Sequence, residues 1–305
     1  MISIILFHQY FISLFPFNLF HNYGYWGVEV FLFLSGMGLV KSIESNSITN
    51  YYKRRFTRII PSCIICGTSK YTAFLLLGSS AEILKEGLNI GPWSVLSLDL
   101  WFIYTIIILY IISPILYHAL KRRPLNTLIC IILIFGINGF TLKPHVGYDW
   151  LSVEGVFAWT IDRLPIFTLG MFFSINSDDL DRKIVYSIPF LMIAILLVLL
   201  GKTNYQICNI QVFITFTLFL GVPSLTSILI CFLKKTPLSW QKPIKFFGSY
   251  SLELYLVHEF IFWTIKIYFD GSNPWLLLSV SVILSCIIAY SCHLLSDKCK
   301  ALINN

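Results

Sequence analysis

Residues 275–295 read WLLLSVSVILSCIIAYSCHLL, a run without a single Asp, Glu, Lys or Arg. About 20 apolar residues carry an α-helix across a bilayer, whereas a membrane β-strand needs only about 9–11 and alternates in character. The run is too long and too evenly greasy for a strand, so it reads as a transmembrane helix. Working outward, comparable runs lie near 2–20, 27–43, 60–79, 98–119, 125–142, 157–175, 184–200, 208–232 and 250–269. The composition agrees. Of 305 residues, 57% are hydrophobic and 12% charged, against about 45–50% and about 25% in soluble domains. Mean hydropathy is +0.78. The expected fold is an all-α polytopic transmembrane bundle of about ten spans, forming a single domain over residues 1–305. No fixed period recurs, which excludes a solenoid. The opening segment has no basic leader and holds His8 and Gln9 in its middle, so it reads as a retained span and not a signal peptide.

The charges orient this bundle. With the N-terminus in the cytoplasm, the basic residues Lys53, Arg54, Arg55 and Arg58, and those of 121–123, 182–183, 234–235 and 298–300, all fall on the cytoplasmic side. Only Lys85, Lys143 and Lys202 fall in loops on the other. Such a bias is the signature of inside-positive topology, and it puts both termini in the cytoplasm. The net charge of +7 is thereby explained without nucleic acid as a partner. The eight cysteines are scattered through apolar runs and read as small core hydrophobes. Cys63 and Cys66, the one close pair, lack the further ligands a structural zinc needs, so no metal is expected.

Ionisable groups within spans are expensive, and each is a functional candidate by default. They are His8, Glu29, Lys70, Asp162, Arg163, Glu253, His258, Glu259 and Lys266. At ~1.5 Å rise per residue, His8 and His258 both lie ~10–12 Å from the cytoplasmic edge, placed to face one cavity. Glu29 and Arg163 both lie near the outer edge, where they are expected to neutralise each other. Lys70 and Lys266 are expected to snorkel to an interface. Trp26, Trp93, Trp101, Trp150 and Trp275 lie near span ends, where tryptophans commonly anchor a helix at the membrane surface. Hydropathy and periodicity alone do not separate an enzyme from a transporter.

The stretch Gly24-Tyr25-Trp26-Gly27-Val28-Glu29-Val30-Phe31-Leu32-Phe33-Leu34-Ser35-Gly36 resembles the G-x-x-G-V-[DE]-x-F-F-x-L-S-G signature of the acyltransferase-3 family of integral membrane acyltransferases. Further elements follow that family's order. They are His8 in a leading apolar stretch, the basic run Tyr52-Lys53-Arg54-Arg55-Phe56-Thr57-Arg58-Ile59-Ile60-Pro61, and Leu100-Trp101-Phe102-Ile103-Tyr104 continuing to Tyr110 and Pro114. Arg163-Leu164-Pro165-Ile166-Phe167 with Gly170 comes next, then Gly248 to His258. One element departs: family members usually carry an arginine about ten residues before the leading histidine, and this sequence begins too late to include it. The chain ends at Asn305 soon after its last apolar run, which resembles the stand-alone form and not the form with an added extracytoplasmic hydrolase-like domain.

The resemblance implies a bacterial inner-membrane enzyme taking an acyl group, most often acetyl, from acyl-coenzyme A to a hydroxyl of a surface or secreted carbohydrate. Acyl-CoA is then a co-substrate, with no permanently bound cofactor, and the bilayer and the carbohydrate acceptor are the partners. Acyl transfer from a thioester needs a base for the acceptor's proton and a donor or cation for the tetrahedral oxyanion. The expected catalytic set is His8 as base, with His258, Tyr255 and Glu29. Arg54, Arg55 and Arg58 are assigned to the coenzyme phosphates, which arginine binds in bidentate fashion. Arg163 and Trp101 are assigned to the acceptor. Ser35 as an acyl-enzyme nucleophile is the weaker alternative, since no base is placed beside it and a Ser-Gly pair also serves close helix packing. Two other functions compete: a transporter or flippase of a glycan precursor, and a non-catalytic relative of the enzyme. Pro61, Pro114, Pro165, Pro189 and Pro223 do not recur at a fixed offset, unlike the matched broken helices of many transporters.

Overall fold

The computed structural model describes residues 1–9, 11–12, 24, 26–76, 101–140, 153–176, 210–269 and 271–304. Every regular element among them is a helix: α1 (Ile2–Phe7), α2 (Trp26–Ser45), α3 (Ile48–Leu76), α4 (Trp101–Arg122), α5 (Pro124–Phe140), α6 (Val153–Ile175), α7 (Ile210–Lys235), α8 (Leu238–Ser249), α9 (Ser251–Tyr268) and α10 (Pro274–Asn304). Hydrocarbon leaves no water to satisfy backbone N–H and C=O groups, so a chain this apolar must bond them within helices. Among the described residues, four helices are long and apolar enough to cross a membrane: Trp26–Ser45, Trp101–Arg122, Glu154–Ile175 and Pro274–Ile303. The all-helical membrane fold is as expected, and about ten spans is compatible with it. The expected span 184–200 lies outside the described residues, as do residues 13–20 of the expected span 2–20 and residues 143–152.

Several boundaries differ from expectation. The first helix does not run through His8; it ends at Phe7 with His8 as its C-cap. The third begins at Ile48, not near residue 60, so Arg54, Arg55 and Arg58 ride on its opening turns. An additional helix, α8, has no buried residue and exposes Leu238, Trp240, Ile244, Phe246 and Phe247 beside Lys242 and Lys245.

The described residues form two compact units. One comprises Met1–Gly27, Lys53–Ile103 and Lys242–Asn305; the other comprises Val28–Tyr52 and Tyr104–Gln241. In the first, α9 and α10 form a helical hairpin across a tight turn. Gly271 takes φ 85° there, a value an L side chain resists. Asn273 then caps α10 by accepting from the Trp275 N–H at 2.9 Å. Pro274 occupies the first helical position, where its missing N–H costs nothing.

In the second unit two sequence features find their physical cause. Pro114 has no N–H to give the Tyr110 carbonyl one turn earlier. That carbonyl instead accepts from the Tyr51 hydroxyl at 3.2 Å and the Ser113 hydroxyl at 2.8 Å. The Ile111 carbonyl likewise accepts from Tyr52 at 2.8 Å. The carbonyls around Pro114 of α4 are thus satisfied in part by the tyrosine pair near the start of α3. Gly36 of α2 and Gly170 of α6 meet the other helix's backbone: a Cβ at Gly36 would overlap the Phe167 carbonyl, and one at Gly170 the Phe33 carbonyl. Such close approach is how membrane helices gain contact when hydrophobicity supplies no drive between them.

Candidate active site

The first unit brings together the two histidines that the sequence places at equal depth. His258 is buried on α9, and its Nε2 lies 3.0 Å from His8 Nδ1. The remaining contacts decide which nitrogen carries which proton. His258 Nδ1 lies 2.8 Å from the Tyr255 carbonyl and 3.1 Å from the Leu254 carbonyl. Carbonyls only accept, so Nδ1 holds the proton and donates it, and in the neutral ring Nε2 becomes an acceptor. His8 Nδ1 faces that acceptor and also the Ile4 carbonyl at 3.1 Å. It is therefore the donor, and the lone pair of neutral His8 falls on Nε2. Backbone carbonyls on α9 thus fix the tautomers of both rings in turn.

The chain at His8 is built for this. After α1 stops, Gln9 replaces the missing helical bonds with its side chain. Its Oε1 accepts from the Phe11 and Ile12 N–H groups at 3.1 and 2.8 Å, and its Nε2 donates to the Ile12 carbonyl at 2.6 Å. Non-helical backbone within a membrane protein is tolerated where protein or a cavity surrounds it, and Gln9 is buried. Phe11 stacks on Phe262 of α9, with ring centroids 5.9 Å apart.

Tyr255 contributes its carbonyl to His258, and its ring lies 4.9 Å from Phe102 and 5.8 Å from the His258 ring. Trp101 meets Phe102 edge-on at 6.0 Å. An aromatic path thus leads from Trp101 to the histidines. Arg54 and Arg58 are exposed and Arg55 is half-buried on the opening turns of α3.

Glu29 and Arg163 belong to the second unit. Arg163 Nε lies 3.0 Å from Glu29 Oε1, and its Nη1 lies 3.6 Å from Asp162 Oδ2. The Asn138 amide of α5 donates to Asp162 Oδ1 at 2.9 Å and to the Ala158 carbonyl at 3.0 Å. The guanidinium also stacks 4.7 Å over Trp159. The expected pairing of Glu29 with Arg163 is present, with Asp162, Asn138 and Trp159 joining it.

Two features escaped the reading of the sequence. Lys70 does not reach an interface: it is 5% exposed, because α3 turns that face inward. Around Glu253, the Ser62 hydroxyl donates at 2.6 Å, Ser296 lies 2.9 Å from Ser62, and His293 Nδ1 lies 3.4 Å away. This cluster ties α3, α9 and α10 together. The shared face of Ser62, Cys66 and Lys70 at spacings of four was the sequence signal for both. Among the described residues no group of His, Cys, Asp or Glu is arranged to hold a metal ion.

A family model described as an acyltransferase domain matches residues 1–294. No curated protein and no solved structure matches the chain.

Proposed function

Because the chain belongs to the acyltransferase-3 family of membrane acyltransferases, we propose that it moves an acyl group, acetyl in the first instance, from acyl-CoA to a hydroxyl of a surface or secreted carbohydrate, with His8 as the base. The observation that supports this reading is the 3.0 Å contact between His258 Nε2 and His8 Nδ1. It leaves the lone pair of neutral His8 on Nε2, which takes the acceptor's proton as the hydroxyl oxygen attacks the thioester carbon. The imidazolium so formed is steadied by His258 and returns the proton to the departing coenzyme thiolate, giving ester and free CoA.

The other residues take supporting parts. Arg54, Arg55 and Arg58 bind the coenzyme phosphates at the cytoplasmic mouth of the bundle. Trp101 meets the acceptor, and within the other unit Glu29 holds Arg163 in place. The protein works in a bacterial inner membrane, where the positive-inside pattern gives it cytoplasmic termini. The test is release of free CoA by the purified protein in lipid nanodiscs, supplied with acetyl-CoA and polysaccharide acceptors. Acceptor-dependent CoA release supports the reading; a transporter or scaffold releases none.

A further inference from the structure

The His8–His258 pair supplies a base but no positive charge for the oxyanion of acyl transfer, and the residue that meets this need lies on α3. Ser62 contacts Glu253 of α9 and Ser296 of α10. One turn further, Cys66 is fully buried beside Cys292 of α10, and Ser69 Oγ lies 3.9 Å from that Cys292 sulfur. On α3 the partners advance from 62 to 66 while on α10 they retreat from 296 to 292, so α3 runs antiparallel to α10 and parallel to α9. Lys70 continues the same face one more turn.

Counting from the level of Ser62 and Glu253, Lys70 lies ~12 Å along α3 and His258 ~7.5 Å along α9. Lys70 is buried on the face of α3 that Ser62 and Cys66 turn toward α9 and α10, and its level differs from that of His258 by less than one helical turn. An ammonium buried in a membrane bundle is costly and marks a functional position. Its three N–H donors allow it to hold a partner in the resting protein and still engage a substrate.

We propose that Lys70 is the cation of the His8–His258 site, donating a hydrogen bond to the carbonyl oxygen of the bound acyl thioester. The inference rests on the acyl-transfer reading above. As the acceptor oxygen bonds to the carbonyl carbon, the C=O π pair moves onto oxygen and His8 takes the hydroxyl proton. The oxyanion is stabilised by Lys70, then its electron pair re-forms C=O, the C–S bond breaks, and the thiolate takes the proton from His8. Lysine stays protonated throughout.

The test compares full-length wild type, Lys70→Met, Lys70→Arg and His8→Ala in nanodiscs, measuring kcat, the KM for acetyl-CoA and the melting temperature. Lys70→Met is expected to lower kcat by about 10²–10³-fold, with KM within about threefold and melting unchanged. Lys70→Arg, keeping the charge, should recover at least about tenfold of that loss. A Lys70→Met protein turning over within threefold of wild type overturns the proposal, as does a loss that follows a collapse in melting temperature and is not relieved by arginine. Failure of the underlying reading looks different: wild type itself releases no CoA, or His8→Ala retains full turnover.

Discussion

His8 and His258 stand 250 positions apart in the chain, yet their rings meet at 3.0 Å. What each ring does follows from which atoms around it can only accept. Two carbonyls of α9 hold the His258 proton on Nδ1, so its Nε2 is an acceptor that orients His8. This makes His258 a positioning residue with a chemically specific role. His258→Phe keeps the ring volume and removes the acceptor, and should lower kcat by about 10–100-fold, the effect of losing a hydrogen bond to the imidazolium formed on His8. His258→Gln can offer an amide oxygen to His8 Nδ1–H and should retain more activity than His258→Phe. Steady-state kinetics on the two proteins check this; equal losses would mean that His258 serves packing alone. That the two histidines could face one another was legible in the sequence. Their tautomers were not, because those depend on carbonyls and ring orientations that only the fold supplies.

At the scale of the helix, the signature residues divide between chemistry and packing. Ser35 and Gly36 close the most specific motif, and Gly36 lets α2 lie against the α6 backbone at Phe167. Gly36→Val should push these helices apart and cost at least ~1–3 kcal/mol, the usual range for overpacking. Thermal unfolding in detergent would show a lowered midpoint, while Gly38→Ala, with nothing within 4 Å of its added Cβ, should leave it unchanged. Tyr51 and Tyr52 likewise serve the carbonyls around Pro114 of α4. The apolar runs located most described helices within a few residues. They failed where hydropathy carries no signal: Gln9 rewires the backbone after His8, α3 begins with its basic turns, and α8 is too short and polar to read as a span. Lys70 was misread because a lone lysine in an apolar run fits both a snorkelling and an inward rotamer, and the choice depends on which face α3 turns to its neighbours.

Taken whole, the chain is a membrane-embedded helical protein of an acyltransferase family, with polar groups concentrated where the bilayer would otherwise forbid them. α9 shows this: its 18 residues hold Glu253, His258, Glu259 and Lys266, too many ionisable groups for a plain lipid-facing span. Orientation follows from the distribution of lysine and arginine, which predicts that the end of α10 is cytoplasmic. Cys299 is exposed there. In intact cells stripped of their outer envelope it should resist a membrane-impermeant maleimide and react once the membrane is opened; labelling before opening would reverse the topology. On the proposed reading, a histidine within this bundle drives acyl transfer. Its most direct test is the rate of acyl transfer from acetyl-CoA by His8→Ala, purified at wild-type yield and melting temperature. A loss of about 10²–10⁴-fold, the share a positioned base supplies, is predicted; near-normal ester formation by that protein would contradict it.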